Sequence, residues 1–342
     1  MILRLIYQSS DNILDKVHKM HDLTKNNALN LKSEASEFFH FETEHDLIKI
    51  LDRAEDDHKQ LQIIGSGTNT IFPRHFAKIV IKSTNNNFKY SEEGNSVLLE
   101  VGAAVEWDDL IDFCCNKRIF GLENLAGIPG TVGAAPIQNI GAYGLEVSRF
   151  IDFVECFDTE LRITRKIKPE NCEFGYRKSM FQNASNLIVL AVGFRLKKDF
   201  EPILEHESLK DSSFSKAQDM IDEIRKIRNA KLPNPKDFPN LGSFFKNPII
   251  SSEDANSNLK LEGLKKYHLP ENKVKFSAGE MLDKLSLKGM KIRNIGLWHQ
   301  HALVLTSNGI VSAQDIKHVE DLLKNYVIEH YGIQLEREPT YL

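Results

Sequence analysis

Apolar and polar residues follow two different periods along this chain. Short apolar or alternating runs predict β-strands at 61–64, 78–82, 97–101, 150–157, 161–167 and 187–196. Helical spacing predicts a helix after the capping box Thr43–Asp46, another from Trp107, a third around 220–227 and a late one over 313–331. Because both periods recur along the whole chain, the pattern favours a mixed α and β protein.

Interruptions of this pattern divide the chain. A chain of 342 residues is too long for one simple core, so we expect two or three domains. Polar segments at 84–87 and 201–215 separate the periodic regions. We therefore predict an extension at 1–20 with no assigned role, a first α/β unit at 21–83, a second unit at 84–215 and a further domain at 216–330.

Composition and charge exclude several classes of protein. Hydrophobic residues make up 41% and charged residues 27%, and the net charge is −4, which gives no field that would attract nucleic acid or an acidic membrane. The apolar runs are shorter than the roughly 18 residues of a membrane helix, and the first residues do not read as a signal peptide. Four cysteines without metal-binding spacing are expected to be reduced thiols. These features predict a cytoplasmic protein.

The most unusual segment runs from Gly127 to Gly144. It contains five glycines, three alanines and two prolines in 18 residues. Glycine weakens helices and strands, but it lets backbone N–H groups approach a phosphate or a flat ring. A packing seam of small residues or a chain of turns is the alternative interpretation of this segment taken alone.

A second glycine-rich turn, Gly65-Ser66-Gly67-Thr68-Asn69, follows the predicted strand at 61–64. It lacks the third glycine of the nicotinamide-binding motif and the lysine of an ATPase phosphate loop. Two such turns in one chain favour a long ligand with a diphosphate that is bound at more than one place.

Several polar residues could carry chemistry. Arg177 could hold a carboxylate through two hydrogen bonds, although an isolated arginine is more often a solvated surface residue. Ser243 lies beside two phenylalanines and could transfer a proton, but taken alone it is more typical of a turn. His299 and His301 have the spacing of one strand face, and without a third ligand nearby we expect no metal site.

Taken in order, these pieces resemble the UDP-N-acetylenolpyruvoylglucosamine reductase family of peptidoglycan precursor synthesis. The resemblance extends from about residue 20 to the C-terminus. The matching stretches are Ile64–Asn69, Asn124–Ala134, Gln138–Gly144, Tyr176–Ser179, Lys231–Pro233, Gly242–Pro248, Phe276–Gly279, Gly289 and His301–Leu305.

The resemblance implies an α+β flavoprotein. It would have the two-subdomain FAD-binding fold of vanillyl-alcohol oxidases and a separate α/β substrate-binding domain at 216–330, and residues 331–342 would return to the first subdomain. FAD would be bound non-covalently, with NADPH as co-substrate and UDP-N-acetylglucosamine enolpyruvate as substrate. Flavin N5 would deliver hydride to the enolpyruvyl ether to form UDP-N-acetylmuramate. We expect a monomer.

The resemblance also assigns roles to residues. Arg177 would hold the substrate carboxylate, Glu338 would complete the polar cradle as an acid or hydrogen-bonding partner, and Ser243 would protonate the carbon. The implied substrate-binding residues are Tyr176, Lys231, Asn247 and His206. The implied FAD-binding residues are Gly65, Ser66, Gly67, Thr68, Asn69, Gly127, Ile128, Pro129, Gly130, Thr131, Ala134, Ala135, Asn139, Gly141, Ala142 and Tyr143.

Three positions depart from the family pattern. Thr68 stands where serine is frequent, His206 stands where one branch has a tyrosine over the substrate diphosphate, and Thr340 stands where an arginine often follows the glutamate. Two other functions stay open. A flavin oxidase of the same fold would commonly tether FAD through a histidine or tyrosine, and neither glycine loop offers a histidine. A non-catalytic flavin-binding or nucleotide-sugar-binding protein would not need Arg177, Ser243 and Glu338 together.

Overall fold

The computed structural model describes residues 20–342, so residues 1–19 of the predicted extension at 1–20 lie outside the described residues. The described chain contains six α-helices: α1 (Glu44–Asp56), α2 (Trp107–Lys117), α3 (Ala217–Lys231), α4 (Ser252–Ser257), α5 (Ala278–Lys284) and α6 (Ala313–Tyr331). None of these helices combines the length and the apolarity needed to cross a bilayer.

The described strands are mostly short. Those before residue 200 are β1 (His21–Asp22), β2 (Glu34–Ala35), β3 (Phe38–Phe41), β4 (Leu61–Ile64), β5 (Thr70–Ile71), β6 (His75–Phe76), β7 (Ile79–Ser83), β8 (Phe88–Glu93), β9 (Ser96–Gly102), β10 (Gly141–Ala142), β11 (Leu145–Glu146), β12 (Ile151–Asp158), β13 (Ile163–Ile167) and β14 (Leu187–Lys197). Those after it are β15 (Asn240–Ser243), β16 (Ile249–Ser251), β17 (Tyr267–Leu269), β18 (Lys273–Lys275), β19 (Lys291–Ile292), β20 (Ile295–Leu297), β21 (Val304–Ser307) and β22 (Thr340–Tyr341).

The first unit contains a parallel sheet of order β3-β7-β4. Helix α1 connects β3 to β4 and begins at the predicted cap, where Thr43 and Asp46 form a complete capping box. Its buried side chains, Leu47, Ile50 and Leu51 among them, pack with Ile79 and Ile81 of the central strand. The sheet therefore presents the end of β4, and the glycine turn that follows it, at its carboxyl edge.

The second unit is an antiparallel sheet of order β13-β12-β14-β9-β8. Its predicted strands and the helix from Trp107 are confirmed, and the apolar face of α2 is buried as expected. Helix α3 packs on this core too, through Met220, Ile221 and Ile224. The helix that opens the predicted 216–330 domain thus lies with the second unit's core.

The region after Pro233 is built from small sheets, of order β15-β21-β20-β19 and β16-β18-β17. Strands of two to four residues leave no readable period, which is why the sequence pattern did not predict them. The late helix has the predicted bounds, with Ile316, Val319 and Leu323 buried. Tyr326 of the same helix is 39% exposed, and its ring lies against His330 at the surface.

The C-terminal residues return to the first unit. Strand β22 pairs in parallel with β5, directly after the first glycine turn. Before that, Arg337 pairs with Phe245, which is two residues after Ser243. One extended segment thus joins the first unit to the C-terminal region and carries Glu338 between them.

Candidate active site

A cleft of about 1270 Å³ opens where the three regions meet. It is larger than the roughly 300–1,000 Å³ of common small-molecule pockets, so it has room for more than one ligand. Both glycine-rich segments line it, and so do Arg177, Lys231, Ser243 and Glu338. Residues that are far apart in sequence therefore meet in one place.

The turn Gly65–Asn69 forms one wall of the cleft. Its five backbone N–H groups have no hydrogen-bond partner within residues 20–342, and consecutive free amides of this kind attract anions. Gly67 has a φ of +66°, and a Cβ there would lie 2.0 Å from the carbonyl oxygen of Asn26. The turn can therefore take this shape only with glycine at position 67.

The segment 127–135 faces that turn directly. A Cβ on Gly130, whose φ is +125°, would lie 3.2 Å from Oγ1 of Thr68, and a Cβ on Gly65 would lie 3.2 Å from Oγ1 of Thr131. The two segments are thus in contact across their small residues. In the described chain, the N–H groups of Gly130 and Thr131 also lack a partner, which extends the row of free amides.

Most of the predicted cofactor residues line the cleft. They are Gly65, Ser66, Gly67, Thr68, Asn69, Ile128, Pro129, Gly130, Thr131, Ala134, Ala135, Gly141 and Tyr143. The other three, Gly127, Asn139 and Ala142, are not part of its lining.

Asn139 is fully buried and its side chain bonds only to protein groups. Its Nδ2 donates to Glu146 (2.9 Å) and to the carbonyl of Gly175 (3.1 Å), and its Oδ1 accepts from the backbone N–H of Ser148 (3.0 Å). Its position fastens the second glycine-rich segment to the loop that carries Arg177. The side chain therefore serves the site by holding that loop.

Arg177 and Glu338 form an ion pair in the cleft. Arg177 has a left-handed backbone (φ +52°) within a tight turn closed by Gly175 and Lys178. Its Nε donates to Oε1 of Glu338 (3.1 Å) and its Nη2 donates to the carbonyl of Gly141 (2.7 Å). The guanidinium has five N–H donors, so these two bonds leave others for a ligand.

The carboxyl of Glu338 is held in partly dry surroundings. Burial raises the pKa of Glu338, and the nearby Arg177 offsets only part of that effect. The backbone N–H of Glu338 donates to the carbonyl of Phe244 (2.9 Å), and its own carbonyl accepts from Gln138 (2.9 Å). Glu338 is therefore fixed beside the strand that ends at Ser243.

Ser243 ends strand β15 where its pairing with β21 shifts register. Gly242 precedes it with a φ of +67°, and Asn240 accepts the N–H of Gly242 (3.0 Å). The next two side chains, Phe244 and Phe245, are buried in the C-terminal core. The irregular strand end therefore puts the hydroxyl in the cleft while its neighbours anchor it from behind.

Four residues were predicted to bind substrate, and the structure places them differently. Lys231 lines the cleft at the end of α3. Tyr176 and Asn247 lie just outside the lining and contact each other, since the N–H of Asn247 donates to the Tyr176 hydroxyl (3.3 Å). His206 packs edge-on against the ring of Tyr143, with 5.2 Å between centroids, and burial lowers its pKa, with a smaller effect from Lys231.

Three further residues in the cleft had no predicted role. Gln138 accepts from Asn69 and donates to Glu338, so it links the first glycine turn to the C-terminal segment. Arg228 lines the cleft beside Gly127, whose carbonyl accepts its Nε (3.1 Å). Burial lowers its pKa. Gln138 stood within a matching motif, whereas an arginine in a helix carries no signal that separates it from a surface residue.

His301 is the third of these residues. It was expected on a strand face together with His299, but both lie in the loop between β20 and β21. Its Nδ1 accepts the backbone N–H of Leu303 (3.3 Å), which leaves Nε2 as the protonated nitrogen of the neutral ring. Among residues 20–342, no cluster of three His, Cys, Asp or Glu side chains has metal-binding geometry.

The cleft thus combines two kinds of surface. One part is a row of free backbone amides between small residues, which fits a diphosphate and a flat ring system. The other part groups an arginine, a carboxyl with a raised pKa and a serine, which fits a reaction at an anionic substrate.

Two family models match separate parts of this chain. Residues 35–160 match the model of an FAD binding domain, and residues 234–342 match the model of the UDP-N-acetylenolpyruvoylglucosamine reductase C-terminal domain. The crystal structure of the reductase from Thermus caldophilus has the same fold, with a TM-score of 0.67 over 95% of this chain and 98% of that one at 23% identity.

Curated sequences extend the similarity over nearly the whole chain. The UDP-N-acetylenolpyruvoylglucosamine reductase of Aliivibrio fischeri is 36% identical over 92% of this chain and 91% of its own length. The reductase of Neisseria meningitidis is 33% identical over 94% and 96%. This chain therefore belongs to the UDP-N-acetylenolpyruvoylglucosamine reductase family.

Proposed function

We propose that this chain reduces UDP-N-acetylglucosamine enolpyruvate to UDP-N-acetylmuramate with NADPH as reductant, a step in peptidoglycan precursor synthesis. The observation that carries the proposal is the meeting of Arg177, Ser243 and Glu338 in a cleft whose other wall is the pair of glycine segments. Curated relatives named UDP-N-acetylenolpyruvoylglucosamine reductase, which match this chain over 91% and 96% of their own length, support it.

The free amides fit FAD as the cofactor. The two glycine segments lie within the region that matches the FAD binding domain model. The N–H groups of Gly65–Asn69 would hold its diphosphate, and Ile128 to Ala135 would lie along its ring system. When bound, FAD supplies the redox chemistry by accepting a hydride from NADPH and giving it to the substrate.

The chain's own side chains manage charge and protons. Arg177 would bind the substrate carboxylate, where negative charge grows during hydride addition, and a fixed cation is most effective there. Glu338 holds Arg177 in place and would contribute a hydrogen bond, since its raised pKa keeps it closer to the protonated form than an exposed glutamate. The Ser243 hydroxyl would give a proton to the substrate carbon.

The substrate diphosphate needs cations outside this centre. Lys231 lines the cleft, and Lys275 lies over the ring of Tyr176, with Nζ 5.6 Å from the ring centroid. We assign Lys231, Tyr176 and Asn247 to the diphosphate and nearby oxygens. His206, next to Tyr143, would cover the diphosphate in place of the tyrosine found in one branch of the family.

One chain supplies every group of this centre, so a monomer suffices, and sedimentation at working concentration tests that. We also propose that the protein acts in the cytoplasm. The four cysteines support a reducing compartment, because none of them is paired in the described chain.

An anaerobic flavin titration tests the proposed function. The purified protein is reduced with NADPH and then mixed with the enolpyruvyl sugar, while the visible flavin absorbance is followed. We expect bleaching and then recovery. A protein that takes up no FAD, or that stays bleached with the sugar and recovers only with oxygen, would contradict the proposal.

The proton donor is tested by Ser243→Ala. We expect normal bleaching by NADPH and product formation lowered by about 10²–10⁴-fold, the usual contribution of a positioned acid or base. Ser257→Ala is the matched control, because within residues 20–342 that hydroxyl bonds only to the carbonyl of Asp254, on exposed helix α4. Turnover of the Ser243 variant at the wild-type rate would show that another group donates the proton.

A further inference from the structure

A buried carboxylate on helix α6 plays no part in the function proposed above. Glu320 is 0% exposed, although α6 is a peripheral helix with polar residues along its outer face. Burying a charge is costly unless it is paired and hydrogen-bonded, so a glutamate in this position needs strong partners.

The partners of Glu320 come mainly from the C-terminal segment. Nη1 of Arg337 donates to both carboxylate oxygens at 3.1 Å, the Tyr341 hydroxyl donates to Oε2 (3.3 Å), and Lys324 donates to Oε1 (2.6 Å). Arg337 also donates from Nε to the carbonyl of Pro339 (2.6 Å) and stacks on the Tyr341 ring at 4.4 Å. We call Glu320, Arg337 and Tyr341 the C-terminal clamp.

The clamp holds residues on both sides of Glu338 in the sequence. Arg337 precedes Glu338 and Tyr341 follows it by three residues. The backbone between them is extended, because Glu338 donates to Phe244, Thr340 donates to Asn69 (3.0 Å) and Leu342 donates to Ile71 (3.1 Å). Successive side chains of an extended segment point to opposite sides, so Arg337 reaches α6 while Glu338 reaches Arg177 in the cleft.

We propose that Glu320 is a positioning residue for Glu338, which it holds against Arg177 through Arg337 and Tyr341. This inference rests on the proposed function, since it assumes that Glu338 and Arg177 serve the substrate. A shift of about 1 Å in a reacting group can cost up to about 10²-fold in rate, so a clamp on the flanking residues affects catalysis without touching substrate.

The test separates the two halves of the reaction. Stopped-flow absorbance gives the rate of flavin reduction by NADPH and the rate of flavin reoxidation by the enolpyruvyl sugar. For Glu320→Gln we expect reoxidation about 10-fold slower, in line with a small displacement of Glu338, and reduction by NADPH within twofold of wild type. Asp321→Asn is the matched control, because Asp321 is the next residue on α6 and pairs only with exposed Lys317 in the described chain.

A positioning role also changes the pH profile of reoxidation. Loosening the pair of Glu338 with Arg177 alters the environment of that carboxyl, so the profile of Glu320→Gln should shift while that of Asp321→Asn stays in place. A purely structural role would lower flavin content or thermal stability without moving the profile.

The outcomes are distinct. Normal reoxidation in Glu320→Gln would overturn the inference, and equal slowing of both halves would do so too, since it would place the effect on the cofactor pocket as a whole. If the flavin of Glu338→Gln were itself reoxidised at the wild-type rate, Glu338 would have no role in the reaction, and the inference that the clamp positions it for the reaction would be contradicted too. Should Glu320→Gln not fold, Arg337→Lys replaces it. We expect reoxidation slowed about twofold or more, because lysine has no second nitrogen to bond to the carbonyl of Pro339 while the first bonds to Glu320; an unchanged rate would overturn the inference.

Discussion

Two arginine–glutamate pairs meet on neighbouring residues of the C-terminal segment, and they differ in almost every property. Arg177 and Glu338 share one hydrogen bond in the cleft, and about a fifth of each side chain is exposed. Arg337 and Glu320 share two, and Glu320 is fully buried with Lys324 and Tyr341 as further donors. The same two residue types thus form two different pairs. In the loose pair the carboxylate has one side-chain donor, Arg177, and in the saturated pair it has three, Arg337, Lys324 and Tyr341.

The pKa of each glutamate shows what the difference does. Burial favours protonation in both, but hydrogen bonds from Lys324 and Arg337 outweigh it in Glu320 and hold its pKa below the ordinary value. In Glu338, burial outweighs Arg177 and the pKa is raised. A carboxylate with several hydrogen-bond donors stays ionised and serves as an anchor, whereas a carboxylate with a single donor can exchange a proton or a partner.

The largest expected effect comes from breaking the loose pair. Arg177→Gln should lower the rate of product formation by about 10²–10³-fold, because the substrate carboxylate loses a fixed cation where charge develops. Flavin content should stay normal, since the hydrogen bonds of the Arg177 side chain go to Glu338 and to the carbonyl of Gly141 and not to the Gly65–Asn69 turn. Steady-state assays with the enolpyruvyl sugar measure the rate.

Arg195→Gln is the control for this first variant. Arg195 is also paired with carboxylates, in its case Asp152 and Glu93, but it lies on the surface of the five-stranded sheet. It should turn over like wild type. A similar loss in both variants would mean that removal of any arginine damages the fold, and the special role of Arg177 would not stand.

Breaking the saturated pair should reduce stability more than breaking the loose pair does. Glu320→Ala leaves Arg337 and Lys324 without their carboxylate, and lost hydrogen bonds to a charged group cost about 1.5–3 kcal/mol. Glu338→Ala should cost less, because its pair is single and partly exposed. Urea unfolding gives both values, and an equal loss in the two variants would remove the distinction between anchor and reactive group.

The sequence pattern predicted several helices of both parts of the chain well. The capping box at Thr43, the buried face of α2 and the bounds of α6 all follow from local spacing, and the structure has them. Family resemblance supplied the fold, since two glycine turns by themselves fitted several ligands. The sequence therefore predicted those features that depend on local residue spacing or on motifs shared with the family.

The clamp could not be predicted from the sequence. Glu320 sits on α6 between residues of ordinary helix composition, and its partners lie 17 and 21 residues away, at Arg337 and Tyr341. An arginine next to a motif glutamate reads as a solvated surface residue. Whether a charge is buried depends on how the C-terminal segment crosses α6, and that crossing is a tertiary feature.

The opposite pKa shifts predict opposite pH dependence of stability. Glu320 contributes stability above its unfolded pKa, near 4.5, that is lost as the pH falls through its lowered folded pKa. Glu338 contributes stability below 4.5 that is lost as the pH rises through its raised pKa. In unfolding titrations, the difference between wild type and Glu320→Gln should shrink towards acid, and the difference between wild type and Glu338→Gln should shrink as the pH rises. Shifts in the same direction would contradict the comparison.

The smallest expected effect concerns the contribution of one hydrogen bond to the saturated pair. Tyr341→Phe removes one hydrogen bond of 3.3 Å to Glu320 and keeps the ring that stacks on Arg337. Because Arg337 and Lys324 still satisfy the carboxylate, the loss should be about 0.5–1.5 kcal/mol, the range for a single hydrogen bond. Burial and the neighbouring Glu320 raise the pKa of Tyr341, so its hydroxyl remains a donor at neutral pH. Tyr326→Phe, on the outer face of α6, should unfold like wild type. If Tyr341→Phe cost as much as Glu320→Ala, the Tyr341 hydroxyl would be the main support of the buried charge and Arg337 a lesser one.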